Sequence, residues 1–414
     1  MGTGGLELNC GNRRYLLVIA LSHIILDMYS GMLPALIPHL RDKFLLSYSA
    51  AGALLAWSTM TSSLIQPVLG FVSDMTGGLG LVIGGLMLSS LAIAATGYIT
   101  SYPLLVGAAI MAGLGNAVYH PQSASVMARL STEQRSSVMG LYGVAGSIGF
   151  ALGPSVLAMA LAIGNSSMFW VVTLPGILMG ITMKVMSQAS QIFAKPCAAP
   201  ASSPVRTQET DENGYLNGSN MWVAEILLLG IVMLRSFMQY GVVTFLPQYV
   251  TQILGGSSNI SPRLQSLFLA ACAIGTFVGG FASDRFGRRS LFIASPVCLI
   301  PIHWALCNTR TVSLFTMLLA LEGFVLMSTF SGGLLMSQDF LPRLTGLASG
   351  LHIGICTTMG GVGATITGLV ADSRGLAFAL GSLVLCPIIG LCLTPLLPRD
   401  KRPRITHTSG AIPE

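Results

Sequence analysis

The sequence has few charged side chains. Only 9% of its 414 residues are Asp, Glu, Lys or Arg, whereas 52% are hydrophobic and the mean hydropathy is +0.73. A soluble domain carries about 25% charged residues, so a chain this poor in charge lacks the polar surface that keeps a protein in water. The scarcity excludes an ordinary soluble protein and indicates that much of the chain lies in lipid.

Several motifs with known chemistry are also missing from the sequence. It contains no GxxxxGK phosphate-binding loop, which argues against ATP as the energy source. The eight cysteines have no metal-ligand spacing, and no cluster of nucleophiles points to an enzyme, so we expect no metal, no cofactor and no catalytic residues. The net charge is +6, but the basic residues stand at the ends of apolar runs, which argues against nucleic-acid binding.

Twelve apolar segments account for most of the chain. About 20 apolar residues cross a bilayer as an α-helix, and the segments lie near 15–39, 49–74, 79–99, 103–130, 136–162, 167–187, 221–250, 264–284, 290–308, 312–338, 344–370 and 376–397. The sequence therefore predicts an all-α membrane protein with twelve transmembrane helices.

Residues 190–220 differ from these segments because they combine three prolines with serine, asparagine and acidic residues. Such a composition is typical of a flexible linker. We therefore expect an N-terminal six-helix bundle over 1–189, a cytoplasmic linker over 190–220 and a C-terminal six-helix bundle over 221–414.

The positions of lysine and arginine predict the orientation in the membrane. An even number of spans puts both termini on one side, and that side receives fifteen of the 21 Lys and Arg residues. One, Arg235, lies within a span. The other five lie at the opposite ends of the spans: Arg41, Lys43, Arg263, Arg310 and Arg374. The asymmetry predicts cytoplasmic termini and a location in the cell inner or plasma membrane.

An octet recurs 210 residues apart along the chain. GFVSDMTG begins at Gly70 and GFASDRFG at Gly280, and each copy follows an apolar run and carries one carboxylate, Asp74 or Asp284. Repetition across the midpoint of an apolar chain indicates two homologous bundles.

The second copy continues as GGFASDRFGRRS over 279–290 and resembles the loop signature of the major facilitator superfamily. The resemblance extends to the twelve spans, the repeat and the central linker, and it implies that superfamily's fold of two pseudo-symmetric bundles. It also implies a cytoplasmic gate at Asp74, Arg129, Asp284, Arg285, Arg288 and Arg289. The first copy lacks the basic residues after Asp74, so the gate there would either be weaker or have Arg129 or Arg135 as its partner.

A closer resemblance is to the fosmidomycin-resistance group of efflux transporters. The stretches that carry it are Ser22-His23 with Asp27, Gln66-Pro67, and HPQSASVMARLS from His120. Gln122 stands where that group often has Glu, which removes one possible proton carrier. GVAGSIGFALGP over 143–154 partly resembles an antiporter motif, but Ser155-Val156 replaces its usual glycine pair, and generic small-residue packing is the alternative.

Ionisable residues within spans are candidate functional groups, because burying a charge in a bilayer is costly. His23 and Asp27 share one helical face in the first span, and we predict that Asp27 couples transport to protons. Glu322 in the tenth span is a second candidate for that role.

Arg235 in the seventh span needs an anionic partner, since arginine does not readily lose its charge. That partner is either Asp27 across the repeat or an anionic substrate. Asn116 and His120 form a polar stripe on the fourth span. The predicted substrate-binding residues are His23, Asp27, Asn116, His120, Arg235 and Gln239.

The sequence thus predicts a secondary active transporter that works by alternating access. We expect proton-coupled efflux of a small amphiphilic or anionic compound. Import of a small organic anion by proton symport is the alternative, and a membrane receptor that transports nothing is a more distant one. The expected partners are the substrate, protons and the lipid bilayer, and we expect a monomer.

Overall fold

The computed structural model describes residues 10–76, 79–130, 135–188, 218–341 and 345–398, and every regular element within these ranges is a helix. The helices are α1 (Cys10–Phe44), α2 (Tyr48–Thr76), α3 (Leu79–Ala95), α4 (Tyr102–Leu130), α5 (Arg135–Ile163), α6 (Asn165–Gln188), α7 (Gly218–Gln252), α8 (Ser261–Phe286), α9 (Arg288–Asn308), α10 (Val312–Met327), α11 (Phe330–Phe340), α12 (Thr345–Arg374), α13 (Leu376–Ser382) and α14 (Leu385–Leu393), followed by a 3₁₀ turn at Thr394–Leu396. The predicted all-α class is confirmed.

The helices account for the twelve predicted spans. Ten stretches of the described chain are long and apolar enough to cross a membrane. Two of these contain a break, since α10 and α11 together form Val312–Phe340, and α13, α14 and the final turn form Leu376–Leu396. The 29-residue α2 and the 17-residue apolar α3 complete the twelve.

Helices α1–α6 form the N-terminal half, and α7–α14 form the C-terminal half. Helix α7 begins at Gly218, inside the predicted linker, and residues 190–217 lie outside the described ranges. The bundle boundaries at 189 and 221 therefore stay a prediction.

Glycines bring the helices of each half into close contact. A Cβ added at Gly153 of α5 would lie 2.6 Å from the Met28 carbonyl oxygen of α1. Gly363 of α12, 210 residues later, has the same role, because a Cβ there would lie 2.7 Å from the Phe237 Cα of α7. Equivalent helices of the two halves thus approach through equivalent glycines, as expected for a repeat packed by small residues.

The two halves meet through α2 with α12 and through α5 with α8. A Cβ at Gly52 would lie 2.6 Å from the Ala364 carbonyl oxygen, and the Ser155 and Ser266 hydroxyls are 2.8 Å apart. These contacts lie toward the end of the molecule where α1 ends and α2 begins, which is the far end from the start of α1.

A carboxylate of one half caps a helix of the other half at this far end. The backbone amides of Tyr48 and Ser49, which begin α2, donate to Asp372 of α12 at 2.7 and 2.9 Å. The Tyr48 hydroxyl also donates to Gln252 of α7 at 2.7 Å, and the Arg41 guanidinium lies 3.7 Å above the Tyr48 ring centre. Hydrogen bonds between the halves therefore close this end.

Candidate functional site

Three ionisable side chains meet in the interior of the N-terminal half. His23 and Asp27 lie one turn apart on α1, and His120 comes from α4. The Asp27 carboxylate lies between the two imidazoles, 3.1 Å from His23 Nε2 and 3.4 Å from His120 Nε2. The structure thus brings three of the predicted site residues into direct contact.

The His23 ring is fixed by α5. Its Nδ1 lies 2.9 Å from the Tyr142 carbonyl oxygen, and the ring stacks on Tyr142 at 3.8 Å with an interplanar angle of 16°. A carbonyl oxygen only accepts, so Nδ1 carries the proton. Although Nε2 is within ion-pair distance of Asp27, it lacks the geometry of a hydrogen bond and is buried without a hydrogen-bond partner.

Tyrosine hydroxyls support the rings around this cluster. The Tyr119 hydroxyl is 2.5 Å from Ser22 Oγ, and the Tyr142 hydroxyl is 2.6 Å from Ser123 Oγ. Both tyrosines are buried, and these bonds satisfy their polar ends. These hydrogen bonds therefore join α1, α4 and α5 around the cluster.

Gly146 of α5 makes room for the cluster. A Cβ at this position would overlap Asp27 Oδ2 and lie 2.7 Å from His23 Cε1. Only glycine lets the α5 backbone pass this close to the carboxylate.

The cluster is open on one side. The Asp27 and His120 side chains are 18% and 27% exposed, whereas His23 is 5% exposed. Tyr240 of α7, in the C-terminal half, lies near both Asp27 and Arg235.

Arg235 is buried in the C-terminal half among sulfur-containing and aromatic side chains. Its Nη1 lies 3.0 Å from Met327 Sδ, its Nη2 lies 3.6 Å from Cys356 Sγ, and the guanidinium is 5.0 Å from the Phe330 ring centre. Among the described residues no carboxylate comes within ion-pair distance of Arg235. Of the two predicted partners, Asp27 does not pair with Arg235 in this conformation.

The break between α10 and α11 lies beside Arg235, because Met327 and Phe330 flank it. A cavity of about 40 Å³ also reaches Arg235, lined in part by Thr329 at this break and by Pro387 near the other. Pockets for drug-sized ligands have about 300–1,000 Å³, so this cavity admits water rather than an organic substrate.

The other two predicted binding residues have different surroundings. Asn116 donates to Ser30 Oγ of α1 at 2.9 Å and accepts from Ser89 Oγ of α3 at 3.3 Å, so it joins three helices. Gln239 is 9% exposed and lies about one turn after Arg235 on α7.

Glu322, the second predicted proton carrier, lies in a buried pair of the C-terminal half. His303 Nδ1 is 3.1 Å from Glu322 Oε1, and the two side chains are 1% and 0% exposed. His303 Nε2 is 2.9 Å from the Leu380 carbonyl oxygen, so the pair joins α9 and α10 to α13.

The predicted gate residues of the second octet make contacts within the C-terminal half. Arg288 pairs with Asp339 of α11, and Arg289 donates to the Pro395 carbonyl oxygen at 2.6 Å. Asp284 and Arg285 are exposed near the end of α8. The side chains of Asp74 and Arg129 lie outside the part of the chain whose side chains the structure describes.

Four residues that matter to this geometry were not predicted as site residues: Tyr142 (as a backbone acceptor), Gly146, His303 and Asp372. His303 stands in the span before Glu322, and a polar pair in adjacent spans is a usable sequence signal. Asp372 ends an apolar run, as Asp74 and Asp284 do, but nothing local indicates that it caps a helix of the other half.

Comparisons with known proteins agree on one family. The model of the Major Facilitator Superfamily matches residues 19–257 and 227–411. The MFS-type transporter YfnC of Bacillus subtilis (strain 168) is 28% identical over 394 residues, which is 95% of each chain. The Fosmidomycin resistance protein of Escherichia coli (strain K12) is 28% identical over 400 residues, which is 92% of each chain.

Solved structures share the fold at low sequence identity. A bacterial homologue of the human lysosomal transporter Spinster, in an inward-facing and unoccupied conformation, superposes with a TM-score of 0.78 at 15% identity, covering 95% of this chain and 98% of the other. A point mutant of the nucleoside transporter NupG gives a TM-score of 0.73 at 11% identity, covering 92% of this chain and 99% of the other.

Proposed function

The chain belongs to the Major Facilitator Superfamily, and we propose that it exports a small amphiphilic or anionic compound in exchange for protons. The superfamily consists of membrane transporters, so the chain is a multi-pass membrane transporter and not an enzyme, as the sequence predicts. The similarity to the Fosmidomycin resistance protein supports export as the direction.

The observation that carries the proposal is the position of Asp27. Its carboxylate lies between two imidazoles within a membrane-spanning helix and is 18% exposed. Ionisable groups at such positions mark proton relays and substrate paths in transporters. We propose that Asp27 takes up and releases the exchanged proton, with His23 and His120 as its immediate neighbours.

Arg235 supports an anionic or partly anionic substrate. A buried guanidinium with sulfur and aromatic neighbours retains unused donors, and its planar fork suits a carboxylate or a phosphonate. Tyr240 lies near both Asp27 and Arg235, which supports a substrate position close to the two charged residues.

The predicted orientation assigns the closed end of the molecule to one side of the membrane. If the termini are cytoplasmic, the hydrogen bonds from Tyr48 and Ser49 to Asp372 seal the outer end. Export then requires these bonds to break once per cycle, as the two halves rock about the bound substrate.

Transport into proteoliposomes with an imposed pH gradient tests the proposal. A panel of small organic anions and amphiphiles is offered with the gradient in either direction, which separates export from symport. Asp27→Asn should abolish gradient-driven movement while membrane insertion is unchanged, and Asp42→Asn, at an exposed position of the same helix, is the matched control. Gradient-driven transport by Asp27→Asn at the rate of the unsubstituted protein would remove Asp27 from the mechanism.

A further inference from the structure

The cluster of His23, Asp27 and His120 has the composition and dimensions of a metal site. We propose that His23 Nε2, the Asp27 carboxylate and His120 Nε2 bind a divalent transition-metal ion of the Zn²⁺ type. The three ligand atoms lie within 4.8 Å of one another. This inference concerns binding alone and does not depend on the direction or the coupling proposed above.

The distances within the cluster fit a shared ion. Ligand atoms that are each about 2.1 Å from a tetrahedral metal ion lie about 3.4 Å from one another. The two imidazole nitrogens are 3.1 and 3.4 Å from the Asp27 oxygens. These distances run to different oxygens of the carboxylate, and the three ligand atoms lie within 4.8 Å of one another, so binding one ion requires rotation of the side chains.

The protonation of His23 also favours a cation between the side chains. Its Nδ1 donates to the Tyr142 carbonyl oxygen, so in the neutral ring the lone pair of Nε2 faces the Asp27 carboxylate. Two acceptors 3.1 Å apart repel unless they share a proton or a metal ion. An imidazole that donates its other N–H to a backbone carbonyl is the usual arrangement of a metal-binding histidine.

Neighbouring residues fix the orientation of the proposed metal ligands. The His23 ring stacks on Tyr142, and Gly146 leaves the space that Asp27 and His23 occupy. His23 is nine-tenths buried or more, and its Nε2 has no hydrogen-bond partner. A buried ring nitrogen beside a carboxylate without a well-aligned hydrogen bond has a lone pair that can bind a further group.

The ligand set selects a class of ion. Two imidazoles and one carboxylate suit Zn²⁺, Co²⁺ and similar ions, whereas Mg²⁺ prefers oxygen ligands alone. Three protein ligands leave a fourth position on the open side of Asp27 and His120, where water or an anionic oxygen of a substrate completes the coordination.

Cobalt spectroscopy of the purified full-length chain in detergent tests the proposal. After treatment with a chelator, titration with Co²⁺ should give saturable visible absorption bands, which Zn²⁺ abolishes and Mg²⁺ leaves unchanged. A site without sulfur ligands gives no strong sulfur-to-cobalt band in the near ultraviolet, which distinguishes it from the eight cysteines.

Two variants with matched controls decide whether the cluster is the site. His120→Gln and Asp27→Asn should each weaken Co²⁺ binding by at least about tenfold, since loss of a supporting residue alone costs that much. His39→Gln and Asp42→Asn, on the same α1 but away from the cluster, should bind Co²⁺ as the unsubstituted protein does. His120 is partly exposed, so its variant remains informative if Asp27→Asn proves unstable.

The metal site would be overturned if the unsubstituted protein gave no saturable band. It would also be overturned if His120→Gln and His39→Gln bound Co²⁺ with equal affinity. Transport separates this result from the proposed function. Co²⁺ binding without gradient-driven transport would support the metal site and contradict the proposed function. Transport that a chelator does not change, with no cobalt band, rejects the site alone.

Discussion

At the scale of single residues, the position of Asp27 depends on the absence of a side chain at Gly146 of α5. Gly146 has no Cβ, and the space is taken by the Asp27 carboxylate and the His23 ring. This relation joins α5 to α1 across more than a hundred residues of sequence, so no local pattern reveals it.

Gly146→Ala should displace the carboxylate. The new Cβ would overlap Asp27 Oδ2, which forces Asp27 or α5 to move. We expect gradient-driven transport in proteoliposomes to fall by about tenfold or more, because a displacement of about 1 Å in a working site can cost about a hundredfold. Gly143→Ala, one turn earlier with nothing within 4 Å of the added Cβ, is the control. Equal transport by the two variants would contradict the tight fit.

Arg235→Ala should impair anionic substrates more than cationic ones. The variant removes a buried guanidinium that no described carboxylate neutralises. Charge-assisted hydrogen bonds contribute about 1.5–3 kcal/mol, so the half-saturating concentration of an anion should rise by about tenfold or more. Arg263→Ala, at an exposed position of α8, serves as the comparison. Equal losses for anions and cations would leave Arg235 a structural role only.

The candidate site was partly predictable from sequence. The spacing of His23 and Asp27 places them on one face of a helix, and the structure has them in contact. The polar stripe and the family resemblance indicated His120, but its contact with Asp27 depends on how α1 and α4 pack, which residue spacing does not specify. The direction of His23 Nε2 was not predictable, because it follows from a backbone carbonyl of α5.

At the scale of the helices, two spans are broken where the sequence predicts continuous segments at 312–338 and 376–397. Pro387 explains the second break, because it has no N–H to donate to the Leu383 carbonyl oxygen one turn earlier. The first break has no proline. The Ser328 hydroxyl bonds to the Val325 carbonyl oxygen at 2.7 Å, and such local bonds compete with the helix. Only the proline was a visible signal.

The pair of His303 and Glu322 should stabilise the C-terminal half. Breaking a buried pair by removing one partner costs about 3–5 kcal/mol, so Glu322→Ala should lower the Tm in detergent clearly. Glu322→Gln keeps a hydrogen-bonding group near His303 Nδ1 and should lower the Tm less. Because the pair is fully buried, we expect Glu322→Gln to retain coupling to the pH gradient. Loss of coupling in a stable Glu322→Gln protein would instead support Glu322 as a proton carrier.

At the scale of the whole molecule, the duplicated octet and the twelve apolar runs were sufficient to predict the fold. Apolar length fixes the number of spans because each must cross the same thickness of lipid. The sequence does not say which end of the molecule is closed. That depends on small differences between the contacts at the two ends, and the contact from Asp372 to α2 joins residues 324 positions apart.

Asp372→Asn should loosen the closed end. Asn is neutral and offers one acceptor oxygen where Asp offers two, so neither amide keeps a charged acceptor and one of them loses its acceptor. A loss of about 1.4 kcal/mol corresponds to a tenfold shift in an equilibrium, so hydrogen exchange at the start of α2 should accelerate by about tenfold. Asp42→Asn is the control, and mass spectrometry of peptides spanning this region gives the measurement. Unchanged exchange in Asp372→Asn would mean that other contacts hold this end.

The cap on α2 also makes water a participant in the conformational cycle. When the halves separate, the amides of Tyr48 and Ser49 lose Asp372 and must be hydrated, whereas the Ala50 amide keeps its bond to Ser47 Oγ of the same half. Opening this end therefore takes up solvent, and closing it releases solvent. An excluded osmolyte lowers the activity of water and so favours the closed end, which couples the rate of the cycle to the osmotic state of the medium on that side.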